Sequence, residues 1–214
     1  MLNYLSNLLH ALDMDSLWGL LRRLAAVVLC LTVHETCHAL SAYALGDPTA
    51  KRQHRLSLNP LRHIDWFGFA MMLAAGFGWA KPVPVDPRYF KNPKQGMALT
   101  ALAGPASNLV LATVLLLIVR WAQTAAPYRL LYFLLETALL SVGLGLFNML
   151  PIPPLDGSKV LFSVLPDRQY QWLMRYEQFG ILLLLALSLF GVGSTYLSRA
   201  IYTVFELLCG AVGL

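Results

Sequence analysis

Two histidines stand four residues apart in His34-Glu35-Thr36-Cys37-His38. On a helix, positions i and i+4 lie on one face, one turn apart, so two imidazoles so placed can share one metal ion. The glutamate between them can then serve as base toward a water at that ion, which is the H-E-x-x-H arrangement of zinc metalloproteases. The competing reading is a pair of histidines packed as ordinary polar core. The surroundings favour the chemistry. The motif sits in Leu24 to Leu45, 22 mostly apolar residues between Arg22-Arg23 and Gly46-Asp47-Pro48. About 20 such residues cross a bilayer, and ionisable groups inside a span are costly enough to be functional by default.

Zinc needs a third protein ligand and one open position. Positions 41 and 44 are Ser and Ala, so the extended three-histidine motif is absent. The next glutamate, Glu136, falls at the wrong depth of its span. The better candidate is Asp156, in Asn148-Met149-Leu150-Pro151-Ile152-Pro153-Pro154-Leu155-Asp156-Gly157. Prolines break helical hydrogen bonding there, and released backbone at membrane depth must be buried in protein or line a watery cavity. The run is therefore expected to turn Asp156 back toward the histidines, with Gly157 permitting a tight turn. Read alone, it is better taken as a helix-ending loop with a solvated Asp; paired with the histidine motif, the ligand reading prevails.

The elements that must bring these groups together are legible from composition. Of 214 residues, 57% are hydrophobic and 13% charged, with a mean hydropathy of +0.60. A soluble domain carries about 25% charged residues, so a water-covered surface is excluded, as is disorder. Three cysteines, Cys30, Cys37 and Cys209, make no disulfide framework. The fold class expected is an all-α polytopic membrane protein of about four spans forming one domain: residues 24–45, 97–119, 130–150 and 179–197. Residues 1–23 read as an interfacial N-terminal segment without the charged start of a cleaved signal peptide. Residues 200–214 read as a short apolar tail.

Residues 46–96 form a long connection with an apolar patch, Trp66 to Ala80, too short to cross and interrupted by Gly68, Gly76 and Gly78. It is expected to be re-entrant or β-hairpin-like. Val83 to Asp86, flanked by prolines, reads as an extended edge. That connection holds eight Lys/Arg and the one after Leu150 three, against five on the other side (Arg22, Arg23, Arg120, Arg129 and Arg199). Eleven against five places the motif-bearing connections in the cytoplasm, so the net charge of +5 reports orientation and contact with anionic headgroups, with no nucleic acid as partner. His54 and His63 read as solvated or headgroup-facing.

Taken together, His34-Glu35-x-x-His38 and Asn148-x-x-Pro151 running into Leu155-Asp156-Gly157 resemble the site-2 protease family of intramembrane zinc metalloproteases. Gly104-Pro105-Ala106-Ser107-Asn108 is similar to that family's small-residue segment with a buried Asn, and Ala80 to Val85 to its membrane-associated loop. The resemblance covers roughly residues 31–157. It implies one zinc ion per chain on His34, His38 and Asp156, Glu35 as base, and Asn148 assisting the reaction centre or serving as a plain helix cap. Asn108 either hydrogen-bonds substrate backbone or clips helices together. The ten-residue loop Arg120–Arg129 has no room for the extracytoplasmic PDZ domain of larger members, which points to a compact bacterial or archaeal form in the cell membrane.

The activity so implied is hydrolysis of peptide bonds in or near transmembrane segments of membrane-protein substrates, as in regulated intramembrane proteolysis. An unwound substrate could pair along Val83 and Val85 by strand addition. One alternative is a catalytically inactive scaffold of the same fold. Another is a non-hydrolytic membrane metalloenzyme such as a di-iron hydroxylase, against which the chain's five histidines, only two of them spaced as ligands, argue.

Overall fold

The computed structural model describes residues 17–68, 70, 80–166, 168, 169, 180, 183, 184, 186 and 193–214. Among them the long elements are helices. Helix α1 (Leu17–Ala44) carries the paired histidines. It ends where Gly46 takes φ +106°, with Gly46 N–H bonded to the Tyr43 carbonyl (3.1 Å) and Asp47 N–H to that of Ala42 (2.9 Å). That pairing around a left-handed glycine is a Schellman motif, and it turns the chain sharply out of the helix. A single helical turn, α2 (Thr49–Arg52), follows.

Helix α3 (Pro93–Ala122) opens with Asn92 accepting from Gln95 N–H and with Pro93 in the first turn, where a missing N–H costs nothing. Helix α4 (Tyr128–Asn148) runs back, and the short α5 (Asp156–Ser163) begins at the candidate ligand itself. Helix α6 (Ser194–Val212) closes the chain. Helix α3 lies at the centre and touches α1, α4, α5 and α6. Its outer half joins α4 and α6 in a core of Leu115, Leu116, Val119, Leu135, Val142 and Phe205.

Among the described residues, three helices are long and apolar enough to cross a membrane: Trp18–Ala44, Pro93–Ala122 and Tyr128–Asn148. They cover the first three expected spans except for residue 45 at the end of the first and residues 149 and 150 at the end of the third. The first helix starts some turns earlier than hydropathy indicates, because Arg22 and Arg23 are not a solvated flank. Both bond Glu136 of α4, at 2.7 and 3.1 Å, and Arg22 also stacks over the Tyr132 ring. The expected tail at 200–214 is the larger part of a 19-residue helix. The fourth expected span, 179–197, lies largely outside the described residues, as do residues 1–16 and most of the patch at 66–80.

No strand occurs among the described residues; a lone antiparallel bridge joins Ile64 and Ala80. The stretch from Lys81 to Asp86, read as an extended edge, forms no strand; Lys81 N–H donates to the His63 carbonyl at 2.9 Å, and beyond it side chains hold the segment.

Candidate metal centre

The i, i+4 spacing places both imidazoles on the face of α1 that meets α3 and α5. His34 Nε2 and His38 Nε2 lie 3.0 Å apart. Asp156 Oδ2 lies 3.2 Å from each. All three residues are buried, and their ligand atoms fall within 4.8 Å of one another. Three ligands bound at 2.0–2.1 Å to one tetrahedral ion would stand about 3.3 Å apart, so the donor set has the dimensions of a metal site.

Asp156 reaches this position because the proline run ends α4 and the chain re-enters as α5, with Asp156 in its first turn. Gly157 makes the approach possible: a Cβ there would meet the Met149 carbonyl oxygen at 2.2 Å.

Each imidazole is oriented from behind by α3. His38 Nδ1 lies 2.7 Å from the Thr100 carbonyl. A carbonyl only accepts, so Nδ1 carries the proton and Nε2 presents its lone pair to the centre. His34 Nδ1 faces the Asn108 amide at 3.1 Å, while Asn108 Oδ1 is buried without a partner among the described residues. With the amide turned end for end, Oδ1 accepts from Nδ1–H and His34 gains the same tautomer as His38.

A cavity of about 500 Å³ opens onto the trio. Glu35, Asn148, Val83 and Val85 line it together with both histidines and Asp156. Glu35 Oε2 accepts from Val83 N–H at 3.1 Å. Asn148 Nδ2 donates to the Leu144 carbonyl at 2.9 Å, one turn back in its own helix. Asn108 is fully buried and does not line the cavity; its backbone carbonyl accepts from Ser141 Oγ at 2.8 Å.

Some functional contacts escape sequence reading. His63, expected in solvent or at headgroups, is 2% exposed. Its Nε2 donates to the Ser57 carbonyl at 2.7 Å, and that same carbonyl accepts from Thr36 Oγ1, inside the histidine motif, at 2.8 Å. The connection after α1 is thereby docked onto α1 beside the metal-site residues. Only its backbone partners explain this burial, and backbone partners leave no pattern in side-chain spacing.

The model of peptidase family M50 matches residues 117–190, a segment that includes Asn148 and Asp156. YwhC of Bacillus subtilis (strain 168), assigned as a zinc metalloprotease, is 40% identical over 175 residues, covering 78% of this chain and 80% of the relative. The chain belongs to peptidase family M50, the site-2 protease family. Rip2 of Mycolicibacterium smegmatis is 29% identical over 194 residues, 86% of this chain and 72% of its own. Zinc metalloprotease MJ0392 of Methanocaldococcus jannaschii is 31% identical over 119 residues, 54% of this chain and 34% of the relative. No solved structure matches. Family M50 membership makes the chain a metalloprotease by kinship, and among the described residues the trio on α1 and α5 is a group that could hold the metal.

Proposed function

We propose that this chain is a zinc-dependent protease that cuts membrane-protein substrates within or at the edge of the bilayer, in regulated intramembrane proteolysis. The observation that carries the reading is the convergence of His34 Nε2, His38 Nε2 and Asp156 Oδ2 in one buried cavity that also contains Glu35.

In this reading His34, His38 and Asp156 hold zinc. When bound, zinc supplies Lewis acidity, polarising the scissile carbonyl and activating water. Glu35 takes the proton from the attacking water and delivers it to the leaving amine. Val83 N–H fixes one carboxylate oxygen and leaves the other available for that transfer. The Asn148 amide retains one N–H beyond its bond to Leu144, and it assists where charge develops on the substrate oxygen. Asn108 acts from behind His34 as an orienting group, not as a contact to substrate. Val83 and Val85 line the cavity and offer an edge to an unwound peptide. The bias of eleven against five basic residues supports a cell-membrane orientation with these connections in the cytoplasm.

Glu35→Gln tests the reading. Co-expressed with a panel of single-span substrates, the variant keeps one zinc per chain and loses cleavage by about 10²- to 10⁴-fold. Cleavage at the native rate would remove Glu35 from the chemistry.

A further inference from the structure

Arg55 breaks the rule that arginine stays at the surface, since only 6% of it is exposed. A buried guanidinium is costly unless its donors are satisfied; here Nη2 meets backbone, while the buried Nε has no partner among the described residues. Arg55 Nη2 donates to the Lys81 carbonyl and, at 3.1 Å, to the Pro82 carbonyl. The very next amide is Val83 N–H, the donor to Glu35 Oε2.

Asp47, fully buried, holds the far end of the same stretch. Its Oδ2 accepts from Asp86 N–H at 2.7 Å, while its Oδ1 accepts from Thr49 N–H at 2.9 Å. Pro82 and Pro84 bring no N–H, so this segment cannot be fixed by a regular ladder. Beyond Lys81, whose N–H donates to the His63 carbonyl at 2.9 Å, side-chain clamps take that role. Neither Arg55 nor Asp47 lines the cavity.

We propose that Arg55 and Asp47 are positioning residues for the hydrolytic step: they stretch Lys81–Asp86 between them so that the Val83 amide holds the Glu35 carboxylate in place. A glutamate side chain has several rotatable bonds, and an error of about 1 Å in a reacting group can cost 10²-fold in rate. The inference rests on the reading of Glu35 as base.

The test uses the full chain, purified with zinc and assayed on a single-span substrate, with Arg55→Met, Arg55→Lys and Asp47→Asn. In Arg55→Met and Asp47→Asn, kcat falls about 10- to 100-fold while KM stays within about 3-fold and zinc stays at one per chain. Arg55→Lys, which can still donate to a carbonyl, recovers part of the loss. Hydrogen exchange supplies a readout independent of turnover. Val83 carries the one amide between Pro82 and Pro84, and it exchanges faster in Arg55→Met while α1 keeps its protection. Native kcat in a folded, zinc-loaded Arg55→Met, or unchanged exchange at Val83, overturns the inference. If Arg55→Met does not accumulate, Asp47→Asn decides by the same two criteria. Glu35→Gln separates the two claims. Full activity in that variant sinks the assignment of the base, whereas an inactive Glu35→Gln beside a fully active Arg55→Met sinks the clamp alone.

Discussion

Gly104 of α3 lies against His38 so closely that a Cβ at position 104 would sit 2.3 Å from Nε2, and 2.7 Å from Cε1 of His34. Real Cβ atoms do not approach other heavy atoms to that distance, so the space for both imidazoles depends on the missing side chain. Gly104→Ala is expected to displace the rings. Zinc per chain measured by elemental analysis drops well below one, and cleavage falls by about 100-fold or more. Native zinc content and rate would show that the rings can move aside without loss.

Asp156→Asn exchanges a charged ligand for a neutral amide of the same shape. Orienting groups around a metal are worth about 10- to 100-fold in affinity, and a direct ligand is expected to exceed that range. Chelator competition on the purified chain measures it. Unchanged zinc retention would remove Asp156 from the ligand set.

Asn108→Ala leaves His34 Nδ1 without its partner and opens a small gap in a fully buried site. Zinc affinity is expected to weaken about 10- to 100-fold with the helical content intact. An unaltered chelator titration would mean that packing alone holds the ring.

Glu136→Ala leaves Arg22 and Arg23 facing each other without their shared carboxylate. Both arginines keep some exposure, so the cost is expected near the low end for a broken buried pair, about 3 kcal/mol. Unfolding in detergent reads it. A midpoint equal to that of the parent chain would make the pair energetically neutral.

His54 adopts φ 56°, the left-handed region, at an exposed position. That conformation costs a side-chain-bearing residue about 1–2 kcal/mol, against about 0.5–1 kcal/mol of added chain entropy in glycine. His54→Gly is therefore expected to stabilise by about 0.5–1 kcal/mol. A loss of stability would show that the imidazole makes a contact worth more than the strain.

The parts of this protein that the sequence makes readable are those encoded by periodicity. The spacing of His34 and His38 is fixed by helix geometry, and the prolines after Asn148 mark where the chain must turn back. Three apolar runs mark α1, α3 and α4, with α3 and α4 matched to within a few residues at each end and α1 matched at its end only. Charge misleads at one end: Arg22 and Arg23 look like a boundary, yet they lie inside α1 because Glu136 receives them. The final helix is interrupted in hydropathy by Ser198 and Arg199, which α6 carries on an exposed or half-exposed face. Arg55, Asp47 and His63 were not legible as parts of the site. Their partners are main-chain atoms up to 39 positions away, and no side-chain pattern records such a bond.

The proposed ligands come from both ends of a long stretch of chain, while the groups orienting the two imidazoles sit on α3 between them. A nascent polypeptide thus emerges with its paired histidines first, then their props, and the carboxylate last. On the proposed reading, the metal site is complete only once position 156 has been synthesised and folded into place.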